Sequence, residues 1–202
     1  IEGFGYVTRT IPIRALLLIL GVISLMGMPY VVLMPIFADQ ILHGGARGLG
    51  ILMGSSGVGA LIGALTLASK KSLKGLGHWV AYASVGFGAG LILFALSRSF
   101  WVSTLLLLPT GFSMMIMMAS SNTLIQTLVP DNLRGRVMAI YSMMFIGMAP
   151  FGSLLAGTLA DYLGAPPVVL MGGTVCIAGG LLFWIHLPAL RRAARLMTGT
   201  LG

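Results

Sequence analysis

Charge is the scarcest property of this 202-residue sequence, which contains 8% charged residues and only four acids. Soluble proteins carry about 25% charged residues, so an ordinary soluble domain is excluded. Hydrophobic residues make up 57% of the chain, and the mean hydropathy is +1.02. The single cysteine, Cys176, lies in an apolar run. It therefore excludes an intrachain disulfide, and the sequence indicates neither a metal site nor a cofactor.

The formal net charge of +8 does not indicate a nucleic-acid partner. A nucleic-acid surface needs basic residues spread over one face of a domain. Here the basic residues fall in short clusters between apolar runs, as they do in proteins whose partner is the lipid bilayer.

Two long charge-free runs organise the chain. No charge occurs between Ser99 and Pro130, and none occurs between Arg136 and Asp161. About 20 helical residues cross the ~30 Å hydrocarbon core, so both runs are long enough to span it and form a hairpin. Applied to the whole chain, the same rule predicts an all-α membrane protein. Its six spans are predicted at about residues 15–42, 48–69, 79–97, 99–129, 137–162 and 167–190.

The basic residues are distributed unequally between the two sides that these spans define. Only Arg47 and Arg98 fall on the side away from the termini. Cytoplasmic loops carry the excess of Lys and Arg, so both termini are predicted to be cytoplasmic. The ten on the side of the termini are Arg9, Arg14, Lys70, Lys71, Lys74, Arg134, Arg136, Arg191, Arg192 and Arg195.

Prolines and small residues modify individual spans. Pro29 and Pro35 predict a bent first span, because each removes a backbone hydrogen bond. Pro109 and Pro150 are compatible with static kinks or with hinges. The second span carries two faces of small residues, which predicts close packing against two partner helices. These faces are Gly50, Gly54 and Gly57, and Ser56, Gly59 and Gly63.

Three segments resemble one known family. Residues 129–139, Val-Pro-Asp-Asn-Leu-Arg-Gly-Arg-Val-Met-Ala, resemble the cytoplasmic loop between helices ten and eleven of major facilitator superfamily drug and siderophore exporters. Residues 157–164 are similar to a repeated Gly-x-Leu-Ala-Asp-x-x-Gly pattern of that group. The basic loop at residues 70–75 matches in position, but no Asp precedes its lysines.

The resemblance covers the whole chain and implies its fold and function. It implies one six-helix bundle of two inverted three-helix repeats, with a missing N-terminal six-helix half preceding Ile1. The implied function is not enzymatic: it is proton-coupled efflux of small amphipathic substrates across the bacterial inner membrane. The loop residues implied in gating are Lys70, Lys71, Asp131, Arg134 and Arg136.

The fourth span carries the most informative stripe of side chains. Gly111, Met115, Met118, Asn122 and Gln126 fall within about 80° of one another on a helical wheel. The stripe is compatible with helix packing. It is equally compatible with a substrate-facing cavity wall, in which thioethers adapt to varied ligands and amides orient them.

The fifth and first spans contribute further candidates for this wall. Tyr141 and Phe145 share one face of the fifth span, and Tyr30 and Met34 share one face of the first. Both faces are compatible with plain core packing as well as with substrate contact.

Two other classes of function were compared with transport. An intramembrane serine protease would use Ser56 as nucleophile and His186 as base, which requires the two within hydrogen-bond reach. A passive channel or lipid-handling protein is compatible with six spans, but no ring of charges is visible. Asp39 and Asp161 lie near predicted outer span ends, so the proton-coupling carboxylate is expected in the missing half.

Overall fold

The computed structural model describes residues 2–70 and 75–199. A short N-terminal helix, Glu2–Arg9, precedes six helices that are long and apolar enough to cross a membrane. The part of the chain so described contains no strand, which confirms the predicted all-α fold. The spans are Ile11–Ile41, Gly45–Ala68, Leu76–Leu96, Phe100–Leu128, Asp131–Leu163 and Ala165–Leu190, the last within a helix that continues to Gly199.

The first and fifth spans are longer than a bilayer requires, at 31 and 33 residues. A helix of that length measures about 45–50 Å, so it must tilt or bend to match a ~30 Å hydrocarbon core. Both spans are interrupted by π-helical turns, at Ile23–Gly27 and Phe37–Ile41 in the first and at Met143–Gly147 in the fifth. The irregular backbone of the described bundle is therefore concentrated in these two helices.

Prolines account for two of these interruptions. Pro29 follows the first π-helical turn, in which the Met28 N–H donates to the Ile23 carbonyl, five residues back, at 2.9 Å. Pro150 follows the turn in the fifth span in the same way. A proline supplies no N–H, so a carbonyl in the preceding turn loses its donor. In a π-helical turn each N–H donates to the carbonyl five residues back instead of four, which changes which carbonyls are paired. Pro109, in contrast, lies inside a continuous helix.

The fifth span begins at Asp131 rather than at residue 137, so most of the charged motif is helical. Pro130 has an extended backbone (ψ 148°), and its carbonyl accepts the Leu133 N–H at 3.0 Å. Asp131 then occupies the first turn, where a carboxylate is stabilised by the helix dipole. The predicted start of the fifth span, at about residue 137, lies inside this helix because the prediction weighed charge above these helix-start signals.

Close backbone contacts hold the helices together. The second span packs against the fourth, the third lies between the fourth and sixth, and the first contacts the fifth and sixth. A Cβ placed on Gly59 would overlap the carbonyl oxygen of Leu108, and one on Gly111 would overlap that of Ser56. These glycines allow the second and fourth spans to approach until their backbones touch, which maximises dispersion contacts where lipid supplies no hydrophobic driving force.

Only one of the two small-residue faces of the second span has a partner in the described chain. Gly59 and Gly63 lie against the fourth span. A Cβ placed on Gly50, Gly54 or Gly57 would meet no atom within 4 Å. The face formed by these three residues, which we call the open glycine face, is exposed.

Candidate substrate-facing wall

A buried tyrosine joins the fourth and fifth spans at the predicted wall. Tyr141 is 4% exposed, and its hydroxyl donates to the Met118 carbonyl oxygen at 3.1 Å. One turn along the fourth span, the side-chain amide of Gln126 donates to that of Asn122. Asn122 is half-buried and Gln126 is exposed. The structure therefore places these four predicted residues around one helix contact, with the amide pair at its accessible edge.

Tyr30, on the first span, contacts the second and third spans. Its hydroxyl lies 3.1 Å from the hydroxyl of Ser56 on the second span. Its ring meets the edge of Phe87 on the third span, with centroids 6.0 Å apart. Only 4% of its surface is exposed, so the hydrogen bond satisfies a phenol that would otherwise be costly to bury.

The remaining three wall candidates lie in different surroundings. Met34 is 1% exposed and belongs to the core. Met115 faces the second span, since its Cβ lies 3.3 Å from a Cβ built on Gly63. Phe145 is half-buried, and its carbonyl accepts a hydrogen bond from Ser24. Substrate contact by any of the eight candidates stays a prediction.

The crevice that Tyr30 borders is small. It lies between the first, fifth and sixth spans and holds about 80 Å³. Its wall includes Leu33, Gly152, Ala156 and Gly172 and is almost entirely apolar. Drug-sized ligands occupy pockets of roughly 300–1,000 Å³, so this crevice cannot enclose one.

The charged residues at the start of the fifth span form local contacts. Arg134 pairs with Asp131 at 2.6 Å, and its Nε donates to the Gln126 carbonyl at 3.2 Å. Both members of the ion pair are exposed, so the pair contributes at most about 1 kcal/mol. The Cβ of Arg136 lies 2.9 Å from a Cβ built on Gly3 of the N-terminal helix. The predicted gating residues of this motif therefore connect the wall, through Gln126, with the N-terminal helix.

The other predicted gating residues belong to the basic loop. Lys70 lies over the Trp79 ring, with Nζ 3.5 Å from its centroid. Lys71 falls outside the residues that the structure describes.

Sequence reasoning missed two serines that hold helices together. Ser24 donates to the Phe145 carbonyl at 2.5 Å, and Ser55 donates to the Thr104 carbonyl at 2.5 Å. A hydroxyl in a charge-free span needs an acceptor because lipid offers none, and that signal was readable. The identity of each acceptor was not, since it lies on a distant helix.

Ser56 and His186 have different hydrogen-bond partners. The Ser56 hydroxyl pairs with Tyr30, whereas the His186 ring nitrogen Nδ1 donates to the Leu182 carbonyl of its own helix at 2.8 Å. The protease hypothesis therefore gains no support from these contacts.

Comparison with known proteins fits this architecture. A family model described as "Transmembrane secretion effector" matches residues 1–197. The chain belongs to this major facilitator superfamily group. It is also similar to an uncharacterized MFS-type transporter, YfmI, of Bacillus subtilis (strain 168), with 20% identity over 184 residues. The match covers 90% of this chain but 45% of the relative, so the chain spans less than half the length of that protein. No solved structure matches the chain with statistical significance.

Proposed function

We propose that this chain is the C-terminal bundle of a transporter that exports small amphipathic molecules in exchange for protons. The family description refers to secretion, and the Bacillus subtilis relative is named as a transporter. The half-buried Met118 and Asn122 fit a wall that accepts varied apolar ligands and orients them through an amide. The proposed location is the bacterial inner membrane, with both termini cytoplasmic.

The open glycine face of the second span carries this proposal. Small residues on a membrane helix allow a second helix to approach closely, and at Gly50, Gly54 and Gly57 no helix of the described chain does so. A second six-helix bundle packed on this side supplies the missing partner. The second bundle also supplies the second wall of a substrate cavity. The described chain needs such a wall because its 80 Å³ crevice is too small to hold a drug-sized ligand.

Bulky substitution on the open glycine face tests the partner bundle. In the full-length protein, Gly57→Trp should reduce transport and lower the unfolding temperature, because the indole would occupy the space of the neighbouring helix. Leu182→Trp is the matched control, since Leu182 is 59% exposed on the sixth span. Equal, near-native behaviour of both variants would remove the proposed interface.

The transport activity itself is tested in proteoliposomes. An imposed pH gradient should drive accumulation of a fluorescent amphipathic cation by the full-length protein, and adding substrate should release protons from energised vesicles. Transport that is unaffected when the gradient is collapsed, with no substrate-induced proton movement, would rule out proton exchange.

A further inference from the structure

Lys70 is held at the junction of the second and third spans by an aromatic ring. Its ammonium lies over the face of Trp79, 3.5 Å from the ring centroid, where the negative π-face attracts a cation. Lys70 is exposed, and an ammonium has three N–H donors. The charge is thus fixed in position while donors remain available to another ligand.

A groove begins at the same tryptophan. It lies between the third and fourth spans, holds about 250 Å³, and is lined by Trp79, Tyr82, Ala83, Phe112, Ser113 and Ile116. Its inner wall is apolar, with Ile116 2% exposed, whereas Tyr82 at its edge is 61% exposed. The groove therefore opens to the outside of the bundle and is shaped for an apolar chain.

Aromatic side chains at the Lys70 end of the groove favour binding of a lipid headgroup there. The Tyr82 ring stacks on His78, with centroids 6.2 Å apart. Amphipathic rings such as Trp79 and Tyr82 concentrate at the boundary between headgroups and hydrocarbon. No acid occurs between Asp39 and Asp131, so no carboxylate of the second, third or fourth span competes for Lys70.

We propose that this groove binds one glycerophospholipid with an anionic headgroup. The phosphate pairs with the Lys70 ammonium, and one acyl chain follows Phe112 and Ile116 toward the middle of the bundle. Trp79 lines the apolar groove on one side and carries the Lys70 ammonium on its face, so a charged site and an apolar site adjoin, as the headgroup and acyl chain of such a lipid require. A free anion would interact with the ammonium alone. The site is independent of what the bundle transports.

Native mass spectrometry of the full-length protein tests the site. Dioleoylphosphatidylglycerol should be retained about fivefold better than dioleoylphosphatidylcholine, as expected for one basic residue near the headgroup. Lys70→Gln should abolish this preference, and Lys70→Arg should keep it. Arg98→Gln is the matched control, because Arg98 is an exposed cation at the other end of the third span.

Three results would overturn the proposal. The first is equal retention of the two lipids by the wild type, and the second is an undiminished preference in Lys70→Gln. The third is equal thermal protection by inorganic phosphate, which would indicate an anion site without an acyl chain. Tyr82→Ala tests the groove separately: it removes an exposed wall without emptying the core and should lower retention of the anionic lipid.

Discussion

The Ser24 hydroxyl donates to the Phe145 carbonyl oxygen at 2.5 Å and thereby links the π-helical turns of the first and fifth spans. Pro150, which supplies no backbone N–H, follows the π-helical turn that contains Phe145. The bond thus joins the first and fifth spans at a level where both backbones are irregular.

Ser24→Ala should therefore destabilise the bundle. The expected loss is about 0.6–1.7 kcal/mol, the range measured for side-chain hydrogen bonds between membrane helices. Thermal unfolding in detergent measures it, with Ser142→Ala as control because Ser142 is exposed on the fifth span. If both variants unfold at the same temperature, the bond does not stabilise the bundle.

The two glycine faces of the second span should respond differently to alanine. Gly59→Ala forces its new methyl group onto the Leu108 carbonyl and should cost about 1–3 kcal/mol as an overpacked contact. Gly50→Ala in the six-helix chain meets no atom within 4 Å and should have little effect. Unfolding of the purified chain compares them, and equal losses would contradict the observed pairing of the second and fourth spans.

The amide pair of the fourth span should affect substrates unequally. Asn122→Ala removes a half-buried amide at the edge of the wall, and each ligand would use that amide differently. Tyr141→Phe instead removes one hydrogen bond to a backbone carbonyl, so it should lower stability by about 0.6 kcal/mol and affect all substrates alike. Efflux of several chemically distinct compounds at matched membrane levels decides this. Equal losses for every compound in Asn122→Ala, with a lowered unfolding temperature, would favour packing instead.

The two ends of the second span should be accessible from opposite sides of the membrane. Single cysteines at Ala46 and Ser69, both exposed, are introduced into a cysteine-free background that includes Cys176→Ala. An impermeant thiol reagent added to intact cells should label the first and spare the second, because the positive-inside rule predicts that Lys70 is cytoplasmic. Labelling of Ser69→Cys from outside would reverse the proposed orientation.

The acids at the end opposite Lys70 should not be required for proton coupling. Asp39 and Asp161 are both exposed, near the last turns of the first and fifth spans. A relay carboxylate is expected inside a bundle or a water-filled cavity rather than at its rim. Asp39→Asn and Asp161→Asn in the full-length protein should each retain gradient-driven transport. Complete loss of coupling at normal membrane levels in either variant would locate a coupling acid in this chain.

The six spans could be predicted from the sequence because hydrocarbon offers backbone groups no hydrogen-bond partners. Any apolar run of sufficient length must therefore be helical. The stripe that holds Met118 and Asn122 followed from the helical period alone. The helix start at Asp131 was missed because the two signals in residues 131–136 disagree. Their charges favour a loop in water, whereas Pro130 and Asp131 favour the first turn of a helix.

The sequence by itself determined how many helices there are and which of their faces are small, apolar or polar. Tertiary structure alone decided which faces meet. Gly59 packs against the Leu108 backbone, whereas no atom lies within 4 Å of a Cβ placed on Gly57. Both glycines nevertheless lie on small-residue faces of the same helix. Ser24 and Phe145 are 121 residues apart, and no local pattern encodes a contact between a hydroxyl and a distant carbonyl. Such contacts depend on how closely whole helices can approach, which is a property of the assembled bundle.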